Sequence, residues 1–169
     1  MDHPVVRYAI LIASAALLQY AVAPQFRIAG VSVDLLLVLA IAAGINGGPE
    51  RGSVVGFASG LALDLLVVTP FGLGAVAYLA AGSIAGLLEA ATVLAARWLT
   101  MAIAALSAAL GLVVFALVGS VLGRSDLWSW HLLTVIAVVA PTSALLVLPA
   151  LGACRWADPE IHRVRAAIR

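Results

Sequence analysis

The chain has 169 residues, of which 64% are hydrophobic and only 10% are charged, and its formal net charge is +1. Soluble domains are roughly 45–50% apolar and about 25% charged, so this composition excludes an ordinary globular domain and predicts a membrane protein. All nine basic residues are arginines spread along the chain, which excludes a broad cationic surface for nucleic acid.

Six apolar runs predict membrane-crossing helices, each of which needs about 20 mostly apolar residues. In chain order they cover residues 5–23, 31–45, 52–69, 73–95, 99–122 and 130–152. Prolines, glycines and charged residues interrupt the hydrophobic sequence between them, as expected for turns. The sequence therefore predicts an all-α, polytopic membrane domain of six helices over residues 1–154, followed by a basic tail over 155–169.

The second run is short for a crossing, and its length also suits a re-entrant loop. The arginines decide between the two, since short cytoplasmic loops carry the positive excess. With six crossings and both termini inside, the cytoplasmic side holds Arg7, Arg51, Arg97, Arg155, Arg163, Arg165 and Arg169. Only Arg27 and Arg124 then lie outside, so we expect six helices with both termini in the cytoplasm.

Glycines recur at every fourth position before and within the third run, at Gly48, Gly52, Gly56 and Gly60, and the same spacing continues to Asp64. Residues four apart share a helix face, and glycine there allows another backbone to approach closely within lipid. Two interpretations remain open. The row either packs against a helix of the same chain or provides a docking face or polar pocket.

The fourth run contains a matching face. Tyr78, Gly82 and Gly86 are also four residues apart and suit packing against the glycines of the third run. Only a short turn that includes Pro70 and Gly72 separates the two runs. The sequence therefore predicts a close hairpin of the third and fourth helices.

Three polar residues are expected at one depth, near the outer membrane surface: Gln19, Asp34 and Asp64. Asp34 stands at a helix start, where an acid caps free N–H groups, and Gln19 suits an interhelical hydrogen bond. Asp64 lies near a helix C-terminus, where the dipole disfavours an anion, so another group is expected to hold it. Arg27, in the first outer loop, is within reach of both acids.

Glu89, on the fourth run toward the inner side, is expected to form an ion pair with Arg97 or Arg51 rather than to serve transport. Catalytic motifs and cysteine–histidine clusters with metal-ligand spacing are missing from the sequence. We therefore expect neither an enzyme nor a cofactor or metal site.

Short motifs in the first half of the chain carry a family resemblance. They are Leu18-Gln19, Val33-Asp34-Leu35, Gly56-Phe57-x-x-Gly60-Leu61-x-x-Asp64 and Pro70-x-Gly72. This series resembles the rod-shape-determining MreD family, although Val33 stands where that family has proline. The resemblance implies a protein of the bacterial inner membrane that acts in cell elongation and lateral peptidoglycan synthesis, with MreC, MreB, RodA and a class B penicillin-binding protein as partners.

Two functions follow from that resemblance. The first is a non-enzymatic scaffold that binds the single membrane span of MreC through the glycine face, with the polar residues as fasteners. The second is a substrate-binding subunit of an energy-coupling-factor transporter, because the MreD fold is similar to those subunits and Ala9-x-x-x-Ala13 resembles their docking pair. The candidate site residues are Gln19, Asp34, Gly52, Gly56, Gly60, Asp64, Pro70 and Gly72, with Arg27 and Glu89 as secondary candidates.

Overall fold

The computed structural model describes residues 4–22, 27–28, 31–67, 72–92, 96–123 and 130–158. These residues form an all-α bundle, as predicted from the sequence. Its helices are α1 (Pro4–Val22), α2 (Leu35–Leu66), α3 (Leu73–Ala91), α4 (Arg97–Val121) and α5 (Trp130–Ala157). Two short strands, β1 (Arg27–Ile28) and β2 (Val31–Ser32), pair antiparallel between α1 and α2, with Arg27 opposite Ser32.

Four of these helices, α1, α3, α4 and α5, are long and apolar enough to cross a membrane. They coincide with the first, fourth, fifth and sixth apolar runs of the sequence. Such a set of helices indicates a membrane protein. Most of the second run and most of the third form α2, which does not belong to that set.

Helix α2 turns back on itself at Gly48, whose φ of 84° and ψ of −179° are not helical. Pro49 follows, and proline suits the first position of a new helical segment. A Cβ built on Gly52 would lie only 2.8 Å from the Cα of Gly44. In a continuous helix these residues would be about 12 Å apart, so segments 35–47 and 49–66 lie side by side. The break predicted between the second and third runs falls at this turn.

The centre of the bundle is the first segment of α2. Every residue from 36 to 46 is buried, on all sides of the helix. A helix that is hydrophobic all round belongs inside a protein, and α2 as a whole contacts α1, α3, α4 and α5. By contrast, α1 lies at the periphery, with Val5, Leu17 and Tyr20 more than two-thirds exposed.

Helix α5 ends at Ala157, and Asp158 directly after it is buried. The helical bundle therefore extends past residue 154, where the sequence placed the boundary of the domain. Residues 159–169, most of the predicted basic tail, lie outside the described residues.

Candidate functional site

The two ends of the bundle differ in their polar groups. One end, called here the Asp34 end, holds the last turns of α1 and α2 and the first turns of α2 and α3. The other, the Gly48 end, holds the start of α1, the turn of α2 and the end of α5. Gln19, Asp34, Asp64 and Tyr78 form the polar layer of the Asp34 end.

Asp34 caps α2. Its backbone is extended, with φ −107° and ψ 92°, and its Oδ1 accepts a hydrogen bond of 3.1 Å from the backbone N–H of Leu37. This is the side-chain cap that satisfies one of the free N–H groups at a helix start. The capping role predicted for Asp34 is confirmed.

Gln19 ties the end of α1 to the start of α2. Its Oε1 accepts hydrogen bonds from the backbone N–H groups of Leu35 and Leu36, at 2.7 and 3.1 Å. Its Nε2 donates to Asp34 Oδ1 at 3.2 Å. Gln19 and Asp34 together therefore satisfy three N–H groups in the first turn of α2, and the interhelical hydrogen bond predicted for Gln19 is present.

Asp64 caps the following helix rather than its own. Its Oδ1 accepts from the backbone N–H of Gly74 at 3.0 Å, and its Oδ2 accepts from Gly72 and Ala75 at 2.9 and 3.3 Å. Gly72, the N-cap residue of α3, has φ 96° and no side chain with which to cap. A carboxylate at the positive end of α3 explains how an acid is held near the C-terminus of α2.

Tyr78, on α3, contacts the acid that caps α2. Its hydroxyl donates a hydrogen bond to Asp34 Oδ2. Tyr78 is only 4% exposed. Sequence reasoning placed Tyr78 only in a packing row and missed this polar role, although its position one turn after Gly74 on α3 was the available signal.

The glycine row packs against α3 within the same chain. A Cβ on Gly52, Gly56 or Gly60 would lie 2.1, 2.3 or 2.4 Å from the backbone carbonyl oxygen of Gly82, Tyr78 or Gly74, respectively. These approaches leave no room for a side chain, and the predicted helical hairpin is confirmed. Because α3 covers the row, the alternative interpretation of Gly52, Gly56 and Gly60 as a docking face for a partner is wrong.

Gly44 belongs to the same junction, although the sequence analysis did not select it. A Cβ on Gly44 would also lie 2.1 Å from the carbonyl oxygen of Gly82. Gly44 stands four residues before Gly48, so the row could have been extended to it. The break between two predicted helices concealed this relation.

The secondary candidates have other surroundings. Arg51 Nη2 lies 2.8 Å from Asp158 Oδ2, close enough for an ion pair although without hydrogen-bond geometry. Among the described residues, Glu89 forms an ion pair neither with Arg51 nor with Arg97, contrary to the expectation from the sequence. Pro70 and the side chain of Arg27 lie outside the described part of the chain.

Further polar groups meet at the Gly48 end. The Tyr8 hydroxyl lies near Asn46, Cys154 and the Arg51–Asp158 pair. Among the described residues, neither Tyr8 Oη nor Asn46 Nδ2 has a hydrogen-bond partner of normal geometry, although both are buried. The Arg7 guanidinium donates to the carbonyl of Trp156 at 3.1 Å and lies over its ring.

A cavity of about 150 Å³ adjoins the polar layer. Its lining combines the polar Asp34 and Tyr78 with apolar groups of α2, α3 and α4. The full lining is Asp34, Leu37, Leu63, Ala77, Tyr78, Gly111, Leu112 and Phe115. Sites for drug-sized ligands typically measure about 300–1,000 Å³, so this space suits at most a small group or a short stretch of hydrocarbon.

Comparisons of the chain with protein-family models, with curated proteins and with solved structures found no match. The resemblance to MreD therefore depends on the short motifs of the sequence alone. Of the motif residues that the structure describes, Gln19, Asp34 and Asp64 lie in the polar layer, and Gly56 and Gly60 lie in the glycine row.

Proposed function

We propose that this chain is a non-enzymatic scaffold of the bacterial elongation complex. In this role it binds MreC in the inner membrane and, with MreB, RodA and a class B penicillin-binding protein, helps control cell shape and lateral peptidoglycan synthesis. The MreD-like motifs suggest this function, and the contacts of their residues support it.

The observation that carries the proposal is that both acids cap helices. The carboxylate oxygens of Asp34 and Asp64 accept hydrogen bonds from backbone N–H groups at the starts of α2 and α3. Such hydrogen bonds fix helices relative to one another and engage the groups that a catalytic or ion-carrying site would need for its substrate. A rigid bundle held in this way suits a protein whose outer faces bind other membrane proteins.

The proposed topology has six crossings, with segments 35–47 and 49–66 of α2 as the second and third. The first segment is only about 20 Å long, short of the roughly 30 Å of hydrocarbon. It is buried among other helices, so protein rather than lipid surrounds its ends. The Gly48 end, with Arg7, Arg51 and Arg155, then faces the cytoplasm.

The alternative, a substrate-binding subunit of an energy-coupling-factor transporter, is weaker. The cavity beside Asp34 is about 150 Å³, too small for a vitamin, and its lining is mainly apolar. A bound vitamin would therefore require rearrangement of α2, α3 and α4. Co-purification of a vitamin with the chain would favour this alternative.

The decisive experiment is co-expression with tagged MreC, followed by mild solubilisation and purification. We expect a stoichiometric complex that survives gel filtration. A matched purification with an ATP-driven transporter module in place of MreC should yield no complex. Recovery of the chain with the transporter module and not with MreC would reject the scaffold.

Single-cysteine labelling tests the topology separately. In a Cys154→Ser background, Glu50→Cys at the turn of α2 should react only after the cytoplasmic side is opened. Gly123→Cys, after α4, should react from the outside. The opposite pattern would reject the proposed orientation, and labelling of both positions from one side would reject the number of crossings.

A further inference from the structure

Helix α5 differs from its neighbours in having two prolines in its interior, Pro141 and Pro149. Proline has no N–H, so the helical hydrogen bond to the carbonyl four residues earlier is missing at each position. The carbonyl groups released in this way belong to Ala137 and Leu145. Helices α3 and α4 contain no proline.

The released carbonyls lie on an open face of the helix. Leu133, Ala137, Pro141, Leu145 and Pro149 are spaced by four residues, and all five are exposed. We call this row the proline face. A helical carbonyl points along the axis toward the residue four positions later, so both released oxygens lie on the proline face.

Lipid alone does not suit such a face. Hydrocarbon has no hydrogen-bond donors, and an unpaired backbone carbonyl in it costs free energy. The hydroxyl of Thr142, the residue after Pro141, donates instead to the carbonyls of Val138 and Val139, at 2.8 and 3.0 Å. The outer faces of α3 and α4 also expose leucines, but their helices contain no proline that would release a carbonyl.

We propose that the proline face docks a transmembrane helix of another protein that presents hydroxyl or carboxamide donors to the carbonyls of Ala137 and Leu145. The two oxygens are about 12 Å apart along α5, so matching donors stand about two helical turns apart on the partner. The docking surface is therefore the proline face and not the glycine row, which α3 covers. The docking requires a donor-bearing helix and does not require that the helix be MreC.

The first test uses the purified full chain in phospholipid vesicles with a synthetic leucine-rich transmembrane helix that has two asparagines about two helical turns apart. Energy transfer between labels on the two measures their association. We expect the P141A/P149A double variant, which regains both N–H groups, to bind this helix roughly threefold to tenfold more weakly than the original chain. A helix with leucine in place of both asparagines is the control. It should bind the original chain and the double variant equally weakly.

Equal binding of the asparagine helix by the double variant and the original chain would overturn the proposal, as would equal binding of the asparagine and leucine helices by the original chain. The double variant should also melt no lower than the original, because its helix gains hydrogen bonds.

The second test needs no proline variant. A photo-crosslinking residue is placed at Leu145 or, as a matched control, at Leu87 of α3, which are 65% and 58% exposed. In cells that produce MreC, Leu145 should crosslink to it several-fold more than Leu87, and equal yields would overturn docking of MreC at the proline face. A further outcome is that MreC is absent from the purified complex while the asparagine helix still binds the original chain more tightly than the double variant. That result would reject the scaffold function and support docking at the proline face.

Discussion

The two ends of the bundle satisfy buried polar groups in different ways. At the Asp34 end, among the described residues, two carboxylates accept hydrogen bonds from neutral donors: backbone N–H groups, a carboxamide and a phenol. At the Gly48 end, the buried acid is Asp158, and its partner is the cation Arg51. Nearby, the buried polar atoms of Tyr8 and Asn46 are without normal hydrogen bonds.

This difference indicates which end fixes the helices. Hydrogen bonds from helix N-termini are directional, and those from Gly74 and Ala75 to Asp64 are buried, so solvent affects them little. The Arg51 side chain is 35% exposed, so water and salt screen its attraction to Asp158. The Asp34 end should therefore contribute more to stability than the Gly48 end.

Replacement of Asp64 should have the largest effect. Asp64→Leu leaves the N–H groups of Gly72, Gly74 and Ala75 without their acceptor, and each buried unsatisfied group costs about 1–3 kcal/mol. We expect a loss of at least about 3 kcal/mol in the free energy of unfolding, measured by denaturant titration in detergent. Asp64→Asn should cost less than Asp64→Leu, because one acceptor oxygen remains. It should still destabilise the protein, because its NH2 group faces a backbone N–H donor. A leucine variant as stable as the original would refute the capping role.

A methyl group on the glycine row should have the next largest effect. In Gly56→Ala the new Cβ lies 2.3 Å from the carbonyl oxygen of Tyr78, so α2 and α3 must move apart. We expect a loss of about 2–3 kcal/mol in the same titration. Gly152→Ala is the matched control, because nothing lies within 4 Å of its Cβ, and it should not destabilise the protein. Equal behaviour of the two variants would contradict the close packing of α2 and α3.

Loss of the Tyr78 hydroxyl tests the link between α3 and Asp34, the N-cap of α2. Tyr78→Phe keeps the ring and removes the hydrogen bond to Asp34 Oδ2. We expect a loss of about 1–2 kcal/mol that changes little when salt is added, because the Tyr78 hydroxyl is uncharged and its side chain is buried. If the loss in free energy of unfolding declined steeply with added salt, the Tyr78 hydroxyl would be in contact with solvent. The two ends of the bundle would then not differ in their sensitivity to salt.

The smallest effect is expected at the Gly48 end. Arg51→Gln removes the cation beside Asp158, and because Arg51 is partly exposed we expect a loss of about 1 kcal/mol or less at low salt. The difference from the original protein should shrink further as the salt concentration rises. A loss larger than that of Asp64→Leu would reverse the assignment of the stabilising end.

Much of the polar layer could be predicted from local sequence patterns. The position of Asp34 before an apolar run predicted a cap, and the depth of Gln19 predicted a contact between helices. For Asp64 the sequence predicted only that some group other than its own helix must hold it. The donors are backbone N–H groups of Gly72, Gly74 and Ala75, which have no signature in side-chain sequence.

The sequence by itself determined that the chain is helical and suited to lipid, because its apolar runs and composition do not depend on which helices touch. It also indicated that the glycines spaced by four allow another backbone to approach closely. Only the tertiary structure decided that this backbone is α3 and that the row of α5 with both prolines is exposed. A glycine face accepts any helix that approaches closely, so its partner is selected by the packing of the whole bundle rather than by the row itself.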